Sequence, residues 1–302
     1  MQKTDIHSVI SKIEDWKNKE ISYEPVSGGI TNPNFKVRVD QKSFFLKIPG
    51  QGTEYIDRAT SHAANILASD KGIGPEVCYY FEDTGVEVFE WLDGYRMMTF
   101  KDVYNPKIRN KVIRNIKRFH EGGNLPQQGN LVEQAWEMRS KAKKTAFEIP
   151  WNNKMEYLLK VIEEAFQKSS IPLKPCHNDF WSNNIMYNEQ TSDIRIIDFE
   201  YATMGDPYAD LGTISTINYF TEEMDKVMMN VYEGGNTSEK AYARMKLYKI
   251  VSDIKWAYWA VYQSSHSNVD YDYMNWYGIK MARLQHLWLD SRLDYWLTVL
   301  AG

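Results

Sequence analysis

The chain carries CHNDFWSNNIM at residues 176–186 and IIDFEYA at residues 196–202, and these two segments constrain its architecture more than any other part of the sequence. In both segments, polar residues stand directly beside short apolar runs of the kind found in strands. The pattern predicts a loop, a short strand, a turn and a second short strand over residues 175–197. A hairpin of this kind returns Asp198 to the neighbourhood of Asn184.

Three side chains of these segments suit phosphoryl transfer. Asp179 places a carboxylate on a loop, where it can accept the proton of a hydroxyl group. Asn184 and Asp198 supply the hard oxygen ligands that magnesium prefers. Each of them alone resembles an ordinary turn residue, but their joint spacing is the H-x-D-x-x-x-x-N … D-F-x pattern of kinase catalytic loops. We therefore predict that Asp179 is the catalytic base and that Asn184 and Asp198 bind Mg²⁺.

Upstream of these segments, the chain predicts a small β-rich half. Alternating apolar and aromatic residues indicate short strands, and two amphipathic helices accompany them over residues 5–19 and 55–70. The strands are expected at residues 22–26, 34–39, 43–48, 76–81 and 86–91. Asp40-Gln41-Lys42 is expected to form a tight hairpin turn between the second and third of them.

Downstream, long helical patterns prevail, interrupted only by the predicted hairpin segment. The helices are expected at about residues 99–121, 131–146, 152–168, 205–219, 221–233, 237–263 and 269–299. We therefore predict an α+β, protein-kinase-like two-lobed fold, with a small, mostly antiparallel β N-lobe that binds nucleotide and a larger, mostly α-helical C-lobe. The N-lobe is expected to span residues 1–92, and the C-lobe residues 93–302.

A lysine and a glycine turn in the predicted N-lobe are candidates for phosphate binding. Lys47 lies on an otherwise apolar strand, where burial is costly unless an anion meets its ammonium group. Glycines let backbone amides approach phosphates closely. We predict that Lys47 binds the nucleotide phosphates and that the SGGITN turn lies over them, with Gly28, Gly29, Thr31 and Asn32 as cofactor-binding residues. The alternative for Lys47 is an edge-strand lysine that reaches water.

Two aspartates after the second segment are predicted to have structural roles. Asp206 precedes Pro207 at the start of a predicted helix and is suited to cap it. Asp210, in the first turn of the same helix, is placed to brace the catalytic loop.

Composition excludes several classes of function. The 302 residues carry a net charge of −4, so no basic surface for nucleic acid is expected. The two cysteines, Cys78 and Cys176, are too few for a disulfide scaffold and fit a reducing compartment. No signal peptide and no apolar stretch of ~20 residues is apparent, so we expect a cytoplasmic protein without membrane insertion.

Five motifs are similar to those of the choline/ethanolamine kinase family within the aminoglycoside-phosphotransferase-like kinases, and they resemble its bacterial branch. They are SGGITNPNFKV, IDRA, GIGPEV, CHNDFWSNNIM and IIDFEYA, and the resemblance extends over about residues 20–280. It implies a kinase that uses ATP and Mg²⁺, with Asp179 as base, Asn184 and Asp198 as metal ligands and Lys47 on the phosphates. It also implies that residues 88–92, including Glu90 and Leu92, form the hinge beside adenine.

Aromatic pairs in the last helices suggest an acceptor site. Trp256 and Trp259 are three residues apart, as are Tyr273 and Trp276 on the next helix, so each pair shares one helix face. Such faces can form a cage for a quaternary ammonium group. By the resemblance, Tyr201 completes this cage as a substrate-binding residue. The alternative is that the aromatic residues are ordinary core.

Two positions depart from the family pattern. The helix glutamate that normally pairs with the phosphate lysine is replaced by Ser61. The acidic residue that lies near the ammonium group in animal choline kinases is missing at Ile217 and Asn218. Compensation of the acceptor's charge is then expected from Asp179, Glu200 or the aromatic faces.

The sequence therefore predicts ATP-dependent phosphorylation of the hydroxyl group of choline or a close amino alcohol. Another small alcohol, such as ethanolamine, thiamine or an aminoglycoside, is an alternative within the same class. A protein that binds nucleotide or amine without turnover is the alternative from a different class, and Ser61 is the feature that supports it. The expected partner in each case is a small molecule.

Overall fold

A five-stranded antiparallel sheet forms the first part of the chain in this computed structural model, which describes residues 5–26, 32–50, 52–267 and 269–302. The sheet has the strand order β1-β2-β3-β5-β4. Its elements, with the helices that accompany them, are α1 (Ile6–Lys12), β1 (Ile21–Pro25), β2 (Asn34–Val39), β3 (Lys42–Lys47), α2 (Arg58–Asp70), β4 (Val77–Phe81) and β5 (Val86–Glu90).

The side chains of β3 alternate between the two faces of the sheet, one packed in a core and the other facing a cavity. Leu46 is fully buried in a core with Val37, Val88 and the apolar residues of α1. Phe45 and Lys47 project to the opposite face and line a cavity. The β2–β3 hairpin closes through a two-residue turn between Val39 and Lys42, as predicted, which sets the register that aims Lys47 at the cavity.

Helices dominate the remainder of the chain. Those before residue 174 are α3 (Phe100–Tyr104), α4 (Pro106–His120), α5 (Leu131–Ala142) and α6 (Asn152–Lys168). The predicted single helix over residues 99–121 is wrong, because it breaks at Asn105. Pro106 has no amide hydrogen to donate, and the Asn105 side chain caps α4 by accepting from Lys107 N at 3.0 Å.

Residues 174–205, called the catalytic segment because they carry the predicted catalytic residues, form two small sheets together with one earlier strand. The strands are β6 (Tyr95–Met97), β7 (Lys174–Cys176), β8 (Ile185–Asn188), β9 (Ile194–Ile196) and β10 (Thr203–Gly205). The predicted hairpin is confirmed as β8–β9, in which Ile185 is paired with Ile196. β6 was not predicted. It pairs with β8 and has only three residues, too few to show a period of two.

Five helices complete the fold: α7 (Pro207–Ile217), α8 (Glu222–Glu233), α9 (Glu239–His266), α10 (Tyr273–Trp288) and α11 (Leu293–Ala301). The predicted helix over residues 269–299 is wrong, because the chain begins α10 only after Asp272. Asp272 caps α10 by accepting from Asn275 N at 2.8 Å, and a turn around Asp290 separates α10 from α11. α9 packs against α5, α7, α10 and α11, which makes it the central helix.

The predicted α+β class is confirmed, since the antiparallel sheet precedes a mostly helical part. Residues 21–90 contain the five-stranded sheet, and the helices after β6 begin at Phe100. The division into lobes at residues 92 and 93 stays a prediction. Within the described ranges, every helix is too short or too polar to cross a lipid bilayer.

Candidate active site

A cavity of about 290 Å³ opens between the sheet, the catalytic segment and the last helices. It brings together most of the residues that the sequence singled out, although they are separated by more than two hundred positions. Those that line it are Asn32, Lys47, Glu90, Leu92, Asp179, Asn184, Asp198, Tyr201, Trp256, Trp259 and Trp276. Gly28, Gly29 and Thr31 lie outside the described residues.

The loop that carries Asp179 is held from behind by Asp210. Both carboxylate oxygens of Asp210 accept backbone amides of the loop, from His177 at 2.8 Å and from Asn178 at 2.7 Å. His120 lies 2.9 Å from the same carboxylate, which is fully buried. Asn178 has a φ of 63°, a left-handed conformation that asparagine tolerates. The predicted bracing role of Asp210 is therefore confirmed, as is helix capping by Asp206, which accepts from Tyr208 N at 3.0 Å.

Asp179 lies at the end of this loop with its carboxylate at the cavity. Burial raises the pKa of Asp179, and the Asp198 carboxylate adds to this. The ammonium groups of Lys255 and Lys280 act in the opposite direction and favour the ionised form. A carboxylate with a raised pKa is a stronger proton acceptor than one at its ordinary value, which suits it to a hydroxyl group.

The β8–β9 hairpin places Asn184 and Asp198 at the same end. The amide of Ile197 donates to the carbonyl of Asn184 at 3.0 Å. Asn184, just before β8, is therefore adjacent to Ile197, just after β9. The side-chain nitrogen of Asn184 donates to Asp179, at 3.1 Å to the carboxylate and 3.0 Å to the backbone carbonyl. This leaves the amide oxygen of Asn184 and the carboxylate of Asp198 as hard oxygen donors, which fit a magnesium ion.

Lys47 is held by two carboxylates. Its ammonium nitrogen lies 2.6 Å from Asp198 and 3.1 Å from Glu200. Glu200 in turn accepts from Arg58 at 2.5 Å and from Asn32 at 2.9 Å. Burial alone would lower the pKa of Lys47, but the two carboxylates raise it above its ordinary value. Glu200 therefore supplies the carboxylate that the sequence leaves out of the helix at Ser61.

Glu200 and Arg58 were not predicted as partners of Lys47. Burial raises the pKa of Glu200, but the charges of Lys47 and Arg58 outweigh it and lower the pKa. Glu200 is thus an anion already matched by two cations, so little of its charge is left for an acceptor. One feature of the sequence could have indicated a charged partner for Glu200. Glu200 is an acidic residue two positions after Asp198 in a segment that is otherwise apolar.

The sheet side of the cavity has the character of a nucleotide site. Phe45 and Phe89 line it beside Glu90, Trp91 and Leu92. The Glu90 carboxylate accepts from Glu76 N at 3.0 Å, and Glu90 N donates back to the Glu76 carbonyl at 3.0 Å, which fixes the end of β5. Flat apolar side chains on one side and lysine on the other suit a purine base and its phosphates.

The helical end of the cavity is aromatic. The Tyr201 and Trp256 rings meet edge to face at 5.4 Å, and Trp256 meets Trp259 in the same way at 5.5 Å. Trp276 closes the other side against Trp181, a cavity residue that the sequence analysis missed, at 5.1 Å.

Tyr273 is placed differently from the other predicted substrate-binding residues, since it is not among the residues that line the cavity. Its ring packs edge to face on Trp259 at 5.7 Å, and its hydroxyl donates to Ser267 at 2.7 Å. Tyr273 thus lies behind the aromatic wall of the cavity, which consists of Tyr201, Trp256, Trp259 and Trp276. The helical spacing of Tyr273 and Trp276 does not show which of the two side chains reaches the cavity.

The chain is similar to known proteins both in sequence and in fold. A family model described as choline/ethanolamine kinase matches residues 23–232. One relative by sequence is a probable ethanolamine kinase A of Dictyostelium discoideum, 23% identical over 87% of this chain and 84% of the relative. Another is a probable choline kinase 2 of Arabidopsis thaliana, 22% identical over 95% of this chain and 91% of the relative. A solved structure of a choline/ethanolamine kinase family protein from Mesorhizobium loti is similar with a TM-score of 0.82, at 24% identity over 97% of both chains. The predicted protein-kinase-like fold is thereby confirmed.

Proposed function

The chain belongs to the choline/ethanolamine kinase family, and from this membership we propose that it transfers the γ-phosphoryl group of ATP to the hydroxyl group of choline or a close amino alcohol. It is an enzyme of the alcohol-accepting phosphotransferase class. The sequence relatives are named for ethanolamine as well as for choline, so the acceptor is argued from the site.

One observation carries the proposal. Asp179, Asn184, Asp198 and Lys47 all line a single cavity whose far end is aromatic. Phosphoryl transfer requires orientation of the hydroxyl, acceptance of its proton and neutralisation of the phosphate charge. These four side chains lie where each requirement can be met, and no other covalent chemistry is needed from the protein.

Asp179 is proposed as the base. Its carboxylate accepts from the side chain of Asn184, and Asp210 fixes the backbone of the loop that carries it. The acceptor hydroxyl donates to Asp179 as its oxygen attacks the γ-phosphorus. The bond from the γ-phosphorus to the bridging oxygen breaks, ADP leaves, and the proton of the hydroxyl passes to the carboxylate. A raised pKa supports this transfer, because it brings the carboxylate closer to the hydroxyl in proton affinity.

Asn184 and Asp198 are proposed to hold Mg²⁺. The donor set fits this ion, because the amide oxygen of Asn184 and the carboxylate of Asp198 are hard oxygen donors at the same end of the β8–β9 hairpin. When bound, the metal neutralises phosphate charge. Lys47 is proposed to bind the phosphates, and Glu200 with Arg58 to hold Lys47 in position.

The acceptor's amino group is proposed to bind at the aromatic end. Tyr201, Trp256, Trp259 and Trp276 present ring surface to the cavity there. A quaternary ammonium group donates no N–H hydrogen bond and is attracted to ring faces, by ~0.5–2 kcal/mol each. Ethanolamine, in contrast, needs acceptors, and the Tyr201 hydroxyl, 2.8 Å from the Tyr55 hydroxyl, is a candidate acceptor at this end.

The test is ADP release from magnesium-ATP by purified protein with choline, ethanolamine, thiamine or an aminoglycoside as acceptor. Asp179→Ala serves as the blank. Turnover with choline or ethanolamine that vanishes in the variant is the expected result. Turnover only with thiamine or an aminoglycoside would support kinase activity but exclude choline and ethanolamine as acceptors. Binding of nucleotide without turnover of any acceptor would favour the non-catalytic alternative.

A further inference from the structure

Two buried lysines stand behind the aromatic end of the cavity. The ammonium nitrogen of Lys255, on α9, lies 4.2 Å from the ring centres of both Tyr201 and Trp256. That of Lys280, on α10, lies 3.7 Å from the ring centre of Trp276. Both lysines are 0% exposed and neither lines the cavity, whereas the three rings do. Each lysine therefore lies against a ring that borders the space proposed for the acceptor.

The charge of Lys280 is not neutralised nearby. Its ammonium group has no hydrogen-bond partner within the described part of the chain. The charged groups around it are Arg283 on the same helix, Asp253 on α9 and Asp179 at the cavity. Asp253 is already bound by Arg283 and by the Thr216 hydroxyl, at 2.9 Å to the latter. Lys280 therefore keeps a cation–π contact with Trp276 as its main polar interaction.

Lys255 is also without a carboxylate in direct contact among the described residues. Its ammonium nitrogen donates to the backbone carbonyl of Asn178 at 3.2 Å. Asp179, Asp210 and Glu137 act on it only at longer range. Asp210 is further occupied by the loop amides. When protonated, Lys255 therefore adds a second positive charge beside the same aromatic wall.

We infer that Lys255 and Lys280 are specificity-determining residues, which weaken the binding of a permanent cation in the acceptor subsite and leave an uncharged acceptor of the same shape unaffected. The inference rests on the proposed function, since it concerns the same aromatic subsite. A ring face attracts a cation because of its negative quadrupole. An ammonium group on one face draws that electron density towards itself, and its own field repels a cation on the other face.

The size of this effect follows from Coulomb's law. A cation on the cavity face of Trp276 lies roughly 8 Å from the Lys280 nitrogen, and at an effective dielectric constant of about 20 the repulsion by a protonated Lys280 changes affinity about ten- to thirtyfold. Removing the charge without shortening the side chain is therefore expected to reveal tighter binding of choline. The neutral isostere should show no such change.

The experiment compares choline with 3,3-dimethylbutan-1-ol, in which carbon replaces the charged nitrogen. Titration calorimetry measures the affinity of both ligands for the wild-type protein and for Lys280→Met. Because burial lowers the pKa of Lys280 to about 7, the titrations are made at pH 5.5, where this side chain is protonated. The expected result is choline binding about tenfold tighter in Lys280→Met, with less than a twofold change for the isostere. Lys240→Met is the matched control, because Lys240 is exposed on α9 and its loss changes the net charge equally. Lys255→Met gives a second, independent test.

Other outcomes overturn the inference. Equal gains for both ligands would indicate altered packing, and weaker binding of both would indicate that Lys280 only supports Trp276. Unchanged choline binding in both methionine variants would exclude the charge effect. So would a Lys280→Arg variant that binds choline as tightly as Lys280→Met, since arginine keeps the charge. Calorimetry needs no turnover, so absence of ADP release would count against the proposed function alone.

Discussion

Lys47 donates a hydrogen bond to Asp198 across 2.6 Å, so the residue proposed to bind phosphate and the residue proposed to bind metal neutralise each other. Each therefore shields the other from the ligand it is proposed to take. A nucleotide phosphate would compete with Asp198 for Lys47, and a metal ion would compete with Lys47 for Asp198, which links the two affinities. Glu200 contacts Lys47 as a second carboxylate, at 3.1 Å.

Replacing Lys47 is expected to have opposite effects on the two ligands. In Lys47→Met, binding of ATP should weaken at least tenfold, because the phosphates lose their cation. Binding of Mn²⁺ alone, used as a probe for magnesium, should strengthen severalfold, because the Asp198 carboxylate is left unpaired. Both are measured by calorimetry, with Lys42→Met, exposed at the start of β3, as control. Unchanged Mn²⁺ affinity would separate Asp198 from the metal site.

Removing the proposed base should affect turnover and spare nucleotide binding. Asp179→Ala and Asp179→Asn are expected to lower kcat by about 10²–10⁴-fold, because no carboxylate remains to accept the proton. The affinity for ATP should stay within about twofold. Steady-state kinetics and nucleotide titration measure the two effects, and Asp270→Ala, at an exposed position, is the control. Retained turnover in Asp179→Ala would remove this residue from the role of base.

Shortening the aromatic wall should act on the acceptor alone. Trp256→Ala and Trp259→Ala are each expected to raise the KM for choline by about 3–30-fold, in line with the loss of one ring face, and to leave the KM for ATP nearly constant. Trp256→Phe keeps a ring and should recover most of the affinity. Equal increases in both KM values, accompanied by a lower Tm, would show that these tryptophans are core residues without a binding role.

Loss of the Glu200 charge should loosen Lys47. Glu200→Gln is expected to raise the KM for ATP about tenfold, because Lys47 and Arg58 lose the carboxylate that joins them. Glu189→Gln, at an exposed position on the β8–β9 turn, is the matched control. Kinetics with varied ATP measure the change. A KM for ATP equal to that of the control would mean that Asp198 alone positions Lys47.

Lys280 should also make stability depend on pH. Burial lowers the pKa of Lys280 to about 7, so between about pH 7 and pH 10.5 the unfolded state binds more protons and stability rises with pH. Lys280→Met removes this dependence. The variant should be more stable than wild type at pH 7 and below, on the order of 5 kcal/mol, with a gain that disappears towards pH 10.5. Chemical denaturation at pH 6 and pH 9.5 measures this; a gain of the same size at both would contradict it.

Much of the β-rich part and the catalytic segment could be predicted, because their signals are local. The turn at Asp40 and the alternation around Lys47 define a hairpin within fifteen residues. The spacing of Asp179, Asn184 and Asp198 places them at one hairpin end whatever surrounds it. The predicted helix boundaries were wrong at Asn105-Pro106 and at Asp272, where new helices begin. Both N-cap residues lie within stretches whose apolar spacing remains helical.

The environment of α9 could not be predicted in the same way. Nearly every residue from Met245 to Val261 is buried, because α5, α7, α10 and α11 surround the helix. Apolar periodicity identifies a buried face only when the opposite face is exposed. The depth of Lys255 and its position behind Tyr201 therefore had no counterpart in the pattern. The same holds for Tyr273, whose spacing from Trp276 did not reveal that it packs outside the cavity.

The sequence alone was sufficient to predict the candidate residues for base, metal and phosphate binding. The loop, hairpin and strand that carry them are determined by residues a few positions apart. The partners of these residues depend on packing. Glu200 meets Lys47 across 153 positions of chain only because the catalytic segment lies against the sheet. Lys255 and Lys280 face the aromatic rings only because α9 and α10 pack side by side. Long-range charge and burial follow from how the elements assemble, and no local pattern contains that information.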